Sequence, residues 1–328
     1  SKYIIASNIT STMKTKHTLL LLVSGALLAA CNDSEPQAPK TSPLQTLRAR
    51  IEQTAGEPQP ASPQLSGLFG ENSGPSLHTI IQQTPVPHPI VWRRYDDINV
   101  HFDTDPKGIM RLYQLEGTGN TSSGTFSLAL SLSSNPDIPS DQIPALPDSY
   151  TSLIAAYPGR SIVITPEESE VIFQTPVEIF RGIEAISDFA MIGSAQAGQP
   201  INFYCPFGLI QLPVTGNVAI KSIDIDTSTQ QKEIAGYFLI DKDSYVPSFH
   251  KPIFEGTQFT VTWASQSSLQ LTSTPEAFYA ILPPATYEAG TLFRFNLTDG
   301  STIERRTKQP FTVTRAQILN LPTLNVTR

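Results

Sequence analysis

The chain has 328 residues, with 22 basic and 29 acidic side chains, a formal net charge of −7, 28 prolines, 19 glycines and two cysteines. Nucleic-acid binding calls for clustered Lys and Arg, so this acidic balance supplies no electrostatic footprint for DNA or RNA. It also gives no adhesion by charge to anionic lipid headgroups, and two cysteines at 31 and 205 exclude a zinc site of the Cys-x-x-Cys type.

Residues 1–12 precede Met13 and read as a mis-start or tag, set aside from fold reasoning. Residues 13–30 read as a signal peptide. Met13-Lys14-Thr15-Lys16 is a basic start and 19–30 is a largely apolar run. A membrane-spanning helix needs about 20 apolar residues, so this run is too short to span. The small residues Ala29 and Ala30 lead directly to Cys31. Leu28-Ala29-Ala30-Cys31 thus resembles a bacterial lipoprotein lipobox, which implies cleavage between Ala30 and Cys31 and a diacylglyceryl thioether on Cys31. The competing reading is an ordinary signal peptide with a chance cysteine. Residues 1–30 hold three lysines and no acid, so the chain without them carries a net −10. With Cys31 acylated, Cys205 is alone; its aromatic neighbours Phe203, Tyr204 and Phe207 suggest a buried, inert thiol. The acidic Asn32-Asp33-Ser34-Glu35 has two readings, an outer-leaflet export signal or a polar spacer.

Residues 31–75 read as a disordered tether, rich in Pro, Gln, Ser and Glu, with too little apolar area to offset ordering entropy. Only 46–53 shows any helical spacing, through Leu47 and Ile51, and it is weak. From Ile90 on, period-two alternation takes over: Ile98, Val100 and Phe102, then Phe126, Leu128 and Leu130. Residues 153–158 and 162–164 are further short strands, and 207–212, 218–225 and 237–240 three more. In 218–225 the pairs Val218/Ile220 and Ile223/Ile225 are out of phase, and a bulge at Lys221-Ser222 returns both to one face. Gly216, in the connection before this strand, is free to take positive φ. Phe259, Val261 and Trp263 alternate, as do Phe293, Phe295 and Leu297, and Asp299-Gly300 is a hairpin signal. Many short strands with turn signals predict an all-β chain, in two sandwiches at 76–195 and 196–328.

These residues carry a resemblance to the fimbrillin-type lipoproteins of Bacteroidales, subunits of lipoprotein-derived fimbriae and related surface adhesins. In the C-terminal half it rests on Phe203-Tyr204-Cys205-Pro206-Phe207-Gly208, Val218-Ala219-Ile220-Lys221-Ser222-Ile223, Ile234-Ala235-Gly236, Phe278-Tyr279-Ala280-Ile281-Leu282-Pro283-Pro284 and Thr314-Arg315-Ala316-Gln317-Ile318. In the N-terminal half it rests on Val91-Trp92 and Ala155-Ala156-Tyr157-Pro158. The resemblance implies two transthyretin-like sandwiches in tandem. It also implies assembly by strand exchange, in which a protease cuts after an Arg near the mature N-terminus and a neighbour's strand fills the groove. Arg48 and Arg50 are the candidate cleavage residues and 311–326 the candidate donor strand. The plainer readings are a solvated tether and an ordinary terminal strand.

Enzymatic signatures are missing. There is no Gly-x-Ser-x-Gly, His-Glu-x-x-His or phosphate-binding loop. Asp224/Asp226 and Asp241/Asp243 are carboxylates at strand spacing that suit Ca²⁺ in principle and solvated faces more often. Arg93-Arg94 and Arg305-Arg306 read as surface turns, and Trp92 and Trp263 as core. The expectation is a non-enzymatic structural or adhesive fimbrial subunit with no cofactor and no metal. It is lipid-anchored at the outer membrane and partnered by other fimbrial subunits and a surface receptor. The alternative is a monomeric surface lipoprotein that binds glycan or another ligand through its loops.

Overall fold

The computed structural model describes residues 43–52, 68–69, 92–106, 108–133, 138–159, 163–164, 170–186 and 189–328. The stretch expected to be a signal peptide, 13–30, and Cys31 lie outside them. The chain is all-β, as expected: beyond single 3-10 turns, the regular elements are strands. Residues Thr41–Arg328 form one compact unit.

Seven strands close a barrel in the order β1 (Thr46–Ile51), β12 (Ile201–Tyr204), β11 (Met191–Gln196), β7 (Ser152–Tyr157), β3 (Asp97–Phe102), β4 (Ile109–Leu115) and β6 (Ser123–Ser133). Every pairing is antiparallel except β1 with β12, which is parallel. Closure leaves no unpaired sheet edge over the paired lengths. The stretch expected to be tether or weak helix is therefore a barrel strand. Its alternation decides this: Leu47, Ala49 and Ile51 are buried while Thr46, Arg48 and Arg50 face out, which is a strand period rather than a helical one.

Behind the barrel lies a sheet of β10 (Ile179–Arg181), β18 (Glu276–Leu282) and β13 (Gly208–Gly216). Its far edge is β23 (Ile318–Asn320) followed by β24 (Leu324–Val326), both parallel to β13. This sheet is covered on both faces. Leu209, Tyr279 and Ile281 face the core shared with the barrel, whereas Ile210, Leu212, Val214, Phe278, Ala280 and Leu282 face a second core. That explains why β18 is a continuous apolar run instead of an alternating one. The second core is closed by β17 (Thr260–Gln270), β14 (Ala219–Asp226), β20 (Leu292–Leu297) and β21 (Thr302–Arg306). A further sheet of β16 (Pro247–Lys251), β15 (Tyr237–Asp241), β9 (Glu170–Gln174) and β8 (Val163–Ile164) completes the first core. Two ribbons remain, β2 (Trp92–Arg93) with β5 (Gly119–Thr121) and β19 (Ala285–Tyr287) with β22 (Phe311–Val313).

The division expected at 195/196 is crossed in both directions. β12 belongs to the barrel, β9 pairs with β15, and β10 pairs with β18. Leu68 and Phe69, within the stretch expected to be tether, are buried in the second core: Phe69 meets Phe293 edge-on at 5.2 Å and the Lys308 N–H donates to the Leu68 carbonyl. The bulge in β14 is present, with the register shifting between Ile220 and Ser222, and Asp299-Gly300 does turn the β20–β21 hairpin. Gly216 instead extends β13 through Pro213, and it is outside the positive-φ glycines. Space requires it, because a Cβ there would overlap the Val326 carbonyl oxygen.

Candidate functional site

The feature that sets this fold apart is the seam of the barrel filled by β1. The strand pairs antiparallel with β6, from Thr46 opposite Ser127 to Arg50 opposite Ser123, and parallel with β12, from Ala49 opposite Ile201 to Ile51 opposite Phe203. In sequence, residues 52–91 separate it from the next strand, β2. Three side-chain contacts fasten it. Upstream, the Tyr113 hydroxyl donates to the Leu44 carbonyl at 2.7 Å inside the barrel. Burial, the leading cause, pushes that phenol well above its ordinary range, so it stays a donor. On the outer face the Arg50 guanidinium donates to the Asn202 side chain. Downstream, Arg315 pairs with Glu52 at 3.1 Å, and its guanidinium lies 5.7 Å from the ring of Tyr204 and 5.9 Å from that of Tyr245. Those two rings stack at 4.3 Å.

Beneath the seam sits Trp92. Its ring meets Phe126 of β6 at 5.0 Å, Phe203 of β12 at 5.2 Å and Tyr157 at 5.6 Å, all edge-on. The two strands that flank β1 therefore share one fully buried indole, as the sequence reading of Trp92 as core requires. Trp263 is only half-buried and packs against Phe278.

Arg48 and Arg50 both lie on β1 with exposed side chains, and the backbone of Arg50 is paired on both sides. The donor-strand candidate 311–326 is paired within its own chain, through β22, β23 and β24. Cys205 is buried, and burial first, with Glu52 nearby, pushes its thiol far up, so it is inert as expected. The paired acids do other work. Asp224 accepts from Thr262 at 2.9 Å and from Asn296 at 2.9 Å. Asp241 accepts the N–H groups of Ser244 and Asp243, which lower its carboxyl. Among the described residues no three of His, Cys, Asp and Glu converge on a metal-sized site, and no helix is long and apolar enough to cross a membrane. Of the latch residues, Glu52, Tyr113 and Asn202 lie in no motif and Arg315 lies in one that gave no hint of this role; only the fold brings together positions so far apart in sequence.

No family model matches the chain, and no curated protein does. Solved structures it resembles include proteins of Bacteroides and Porphyromonas described as cell-adhesion or fimbrial proteins, and a leucine-rich repeat protein of Bacteroides thetaiotaomicron. One, from Bacteroides ovatus ATCC 8483 and provisionally assigned to cell adhesion, is 12% identical with a TM-score of 0.41 over 72% of this chain and 83% of its own. The C-terminally truncated tip fimbrial protein Mfa3 from Porphyromonas gingivalis is 11% identical with a TM-score of 0.33 over 80% of each chain. At such loose superposition the functional argument rests on this chain's own residues.

Proposed function

We propose that this chain is a non-enzymatic structural and adhesive subunit of a cell-surface fimbria, anchored at the outer membrane through a lipid on Cys31 and assembled by strand exchange. The observation that carries the reading is the β1 seam. A barrel whose closing strand comes from a remote N-terminal segment has a ready-made slot once that strand leaves. A cut after Arg50 would free the β6 edge and the pockets of Leu47 and Ala49, and a cut after Arg48 that of Leu47; Ile51 stays on the trimmed chain and would have to peel from Phe203 for the β12 edge to open as well. Such a slot takes an extended strand from a neighbouring subunit by backbone pairing, with the alternate side chains giving register. In this scheme a protease cuts after Arg48 or Arg50. Because the Arg50 backbone is paired on both sides, β1 must first lift from the seam, which makes the latch contacts the control on maturation. The two transthyretin-like sandwiches implied by the resemblance would then correspond to the barrel half and the sheet stack behind it, sharing strands.

The pairing of both β1 and 311–326 within their own chain favours a second reading, a monomeric surface lipoprotein that binds glycan or another ligand through its loops. Intact mass and N-terminal sequencing of the protein from outer membranes and from shed fibres separate the two. An N-terminus at Ala49 or Ile51 in high-mass fibres supports strand exchange. A lipidated Cys31 terminus with no trimmed form supports the monomer or an anchor subunit.

A further inference from the structure

Strand β6 is longer than the strand that closes on it. β4 pairs with it from Phe126 to Ser133, but β1 covers only Ser123 to Ser127, and the segment before β1, Pro43–Gln45, is a 3-10 turn that packs on β6 without strand pairing. Residues 128–132 thus present a backbone edge that no strand among the described residues pairs with on the β1 side.

The same stretch inverts its side chains. Phe126 is buried, and simple alternation would carry Leu128, Leu130 and Leu132 inward after it. The β4–β6 register shifts instead between Leu112 and Tyr113, where Leu112 faces Leu130 and Tyr113 faces Leu128, so that Ala129 is the extra residue. Such a bulge flips the phase of the residues beyond it. Ser131 then points to the buried Arg111, whose guanidinium donates to Ser131 at 2.9 Å, to the Pro144 and Ala145 carbonyls and to Asp105 at 2.7 Å. Leu130 and Leu132 are turned out, 48% and 40% exposed.

Natural edge strands are blunted by Lys, Pro or inward charge. Here SGTFSLALSLS holds no charged residue and no proline. In a chain of net charge −7, two copies approach most cheaply along a charge-free strand. The stretch is also self-complementary. Antiparallel pairing about Ser131 sets Leu130 of one copy opposite Leu132 of the other, twice, with side chains about 5 Å apart across the strands. We propose that the 128–132 edge of β6 is a docking surface for a second copy of this chain, forming a two-fold dimer by edge-to-edge strand pairing. This contact lies on the same side of β6 as the β1 seam, beyond the residues that β1 covers.

The test is sedimentation of the full chain in detergent, native against the double variant Leu130→Lys/Leu132→Lys. The expected result is a reversible dimer whose dissociation constant rises roughly tenfold or more in the variant. Association through the apolar leader would be indifferent to these substitutions, so a dimer that persists in the variant overturns the proposal, as does a monomeric native chain. Amide hydrogen exchange needs no variant: protection at 128–132 that rises with protein concentration supports the dimer, and concentration-independent exchange there overturns it.

Discussion

In the barrel, the closing strand β1 lies between two partners and buries Leu47, Ala49 and Ile51 into an interior shared with Trp92. In the sheet stack behind it, the closing strands β23 and β24 pair, among the described residues, with β13 on one side only, and bury Leu324 and Val326. Both β1 and the β23–β24 segment finish a sheet and bury side chains in a core, yet β1 must break strand pairing on two sides to leave and β23–β24 on one. The seam is therefore the switchable element of high energy and the C-terminal edge the one of low energy.

The largest effect should come from removing residues 1–52. Burying Leu44, Leu47 and Ile51 contributes about 1.5–3 kcal/mol each, which together rivals the ~5–15 kcal/mol of a whole domain. We expect loss of cooperative barrel unfolding, dye binding to the opened seam, and a red shift in Trp92 emission. A peptide of residues 43–52 should reverse all three. Unchanged emission and melting would break the comparison, because β1 would then be dispensable. On the other side, Gly216→Ala places a Cβ against the Val326 carbonyl. It should cost about 1–3 kcal/mol and speed amide exchange at Leu324–Val326 while leaving Trp92 emission alone.

How much of this was legible in the sequence depends on the range of the interactions. Alternation exposed most strands, and the out-of-phase isoleucines of β14 exposed its bulge, because those signals are local. β1 was hidden because Thr-Leu-Arg-Ala-Arg-Ile sits among prolines, glutamines and glutamates, and short strands there look like linker. The pairings that cross 195/196 were not legible because a sheet buried on both faces belongs to two cores at once, and nothing local announces which strands cross. Leu130 and Leu132 mislead for the opposite reason: their alternation is regular, but a buried Arg111 on the neighbouring strand recruits Ser131 instead and turns the leucines out.

A smaller effect sharpens the seam itself. The Arg315–Glu52 pair is about a third exposed at each end, 33% and 31%, so solvent screens it and about 0.2–1 kcal/mol is expected from it. Glu52→Gln and Arg315→Gln, alone and together, give the coupling by a double-mutant cycle. The readout is amide exchange along Thr46–Ile51. If the latch holds β1, each single variant speeds that exchange and the double variant adds little. Additive effects would mean the two side chains act separately and that the stacked Tyr204–Tyr245 platform, not the ion pair, is what Arg315 serves.

The smallest expected effect lies at the far end of the C-terminal edge, where Arg328 pairs with Asp299 on the β20–β21 hairpin. Hydrogen bonds from the Ser301 hydroxyl and N–H, with Arg328 contributing, hold the Asp299 carboxyl down at about 2. A free aspartate titrates near ~3.9. The folded value lies below the unfolded one, so whatever this carboxylate adds is complete above about pH 4 and is lost as pH falls toward 2. Carboxyl NMR of the native chain should show that depressed midpoint. Ser301→Ala should raise it substantially and Arg328→Gln only slightly, since the serine dominates. The reverse order would make the ion pair the main clasp of the C-terminal strand and move that edge closer to the seam in how firmly it is held.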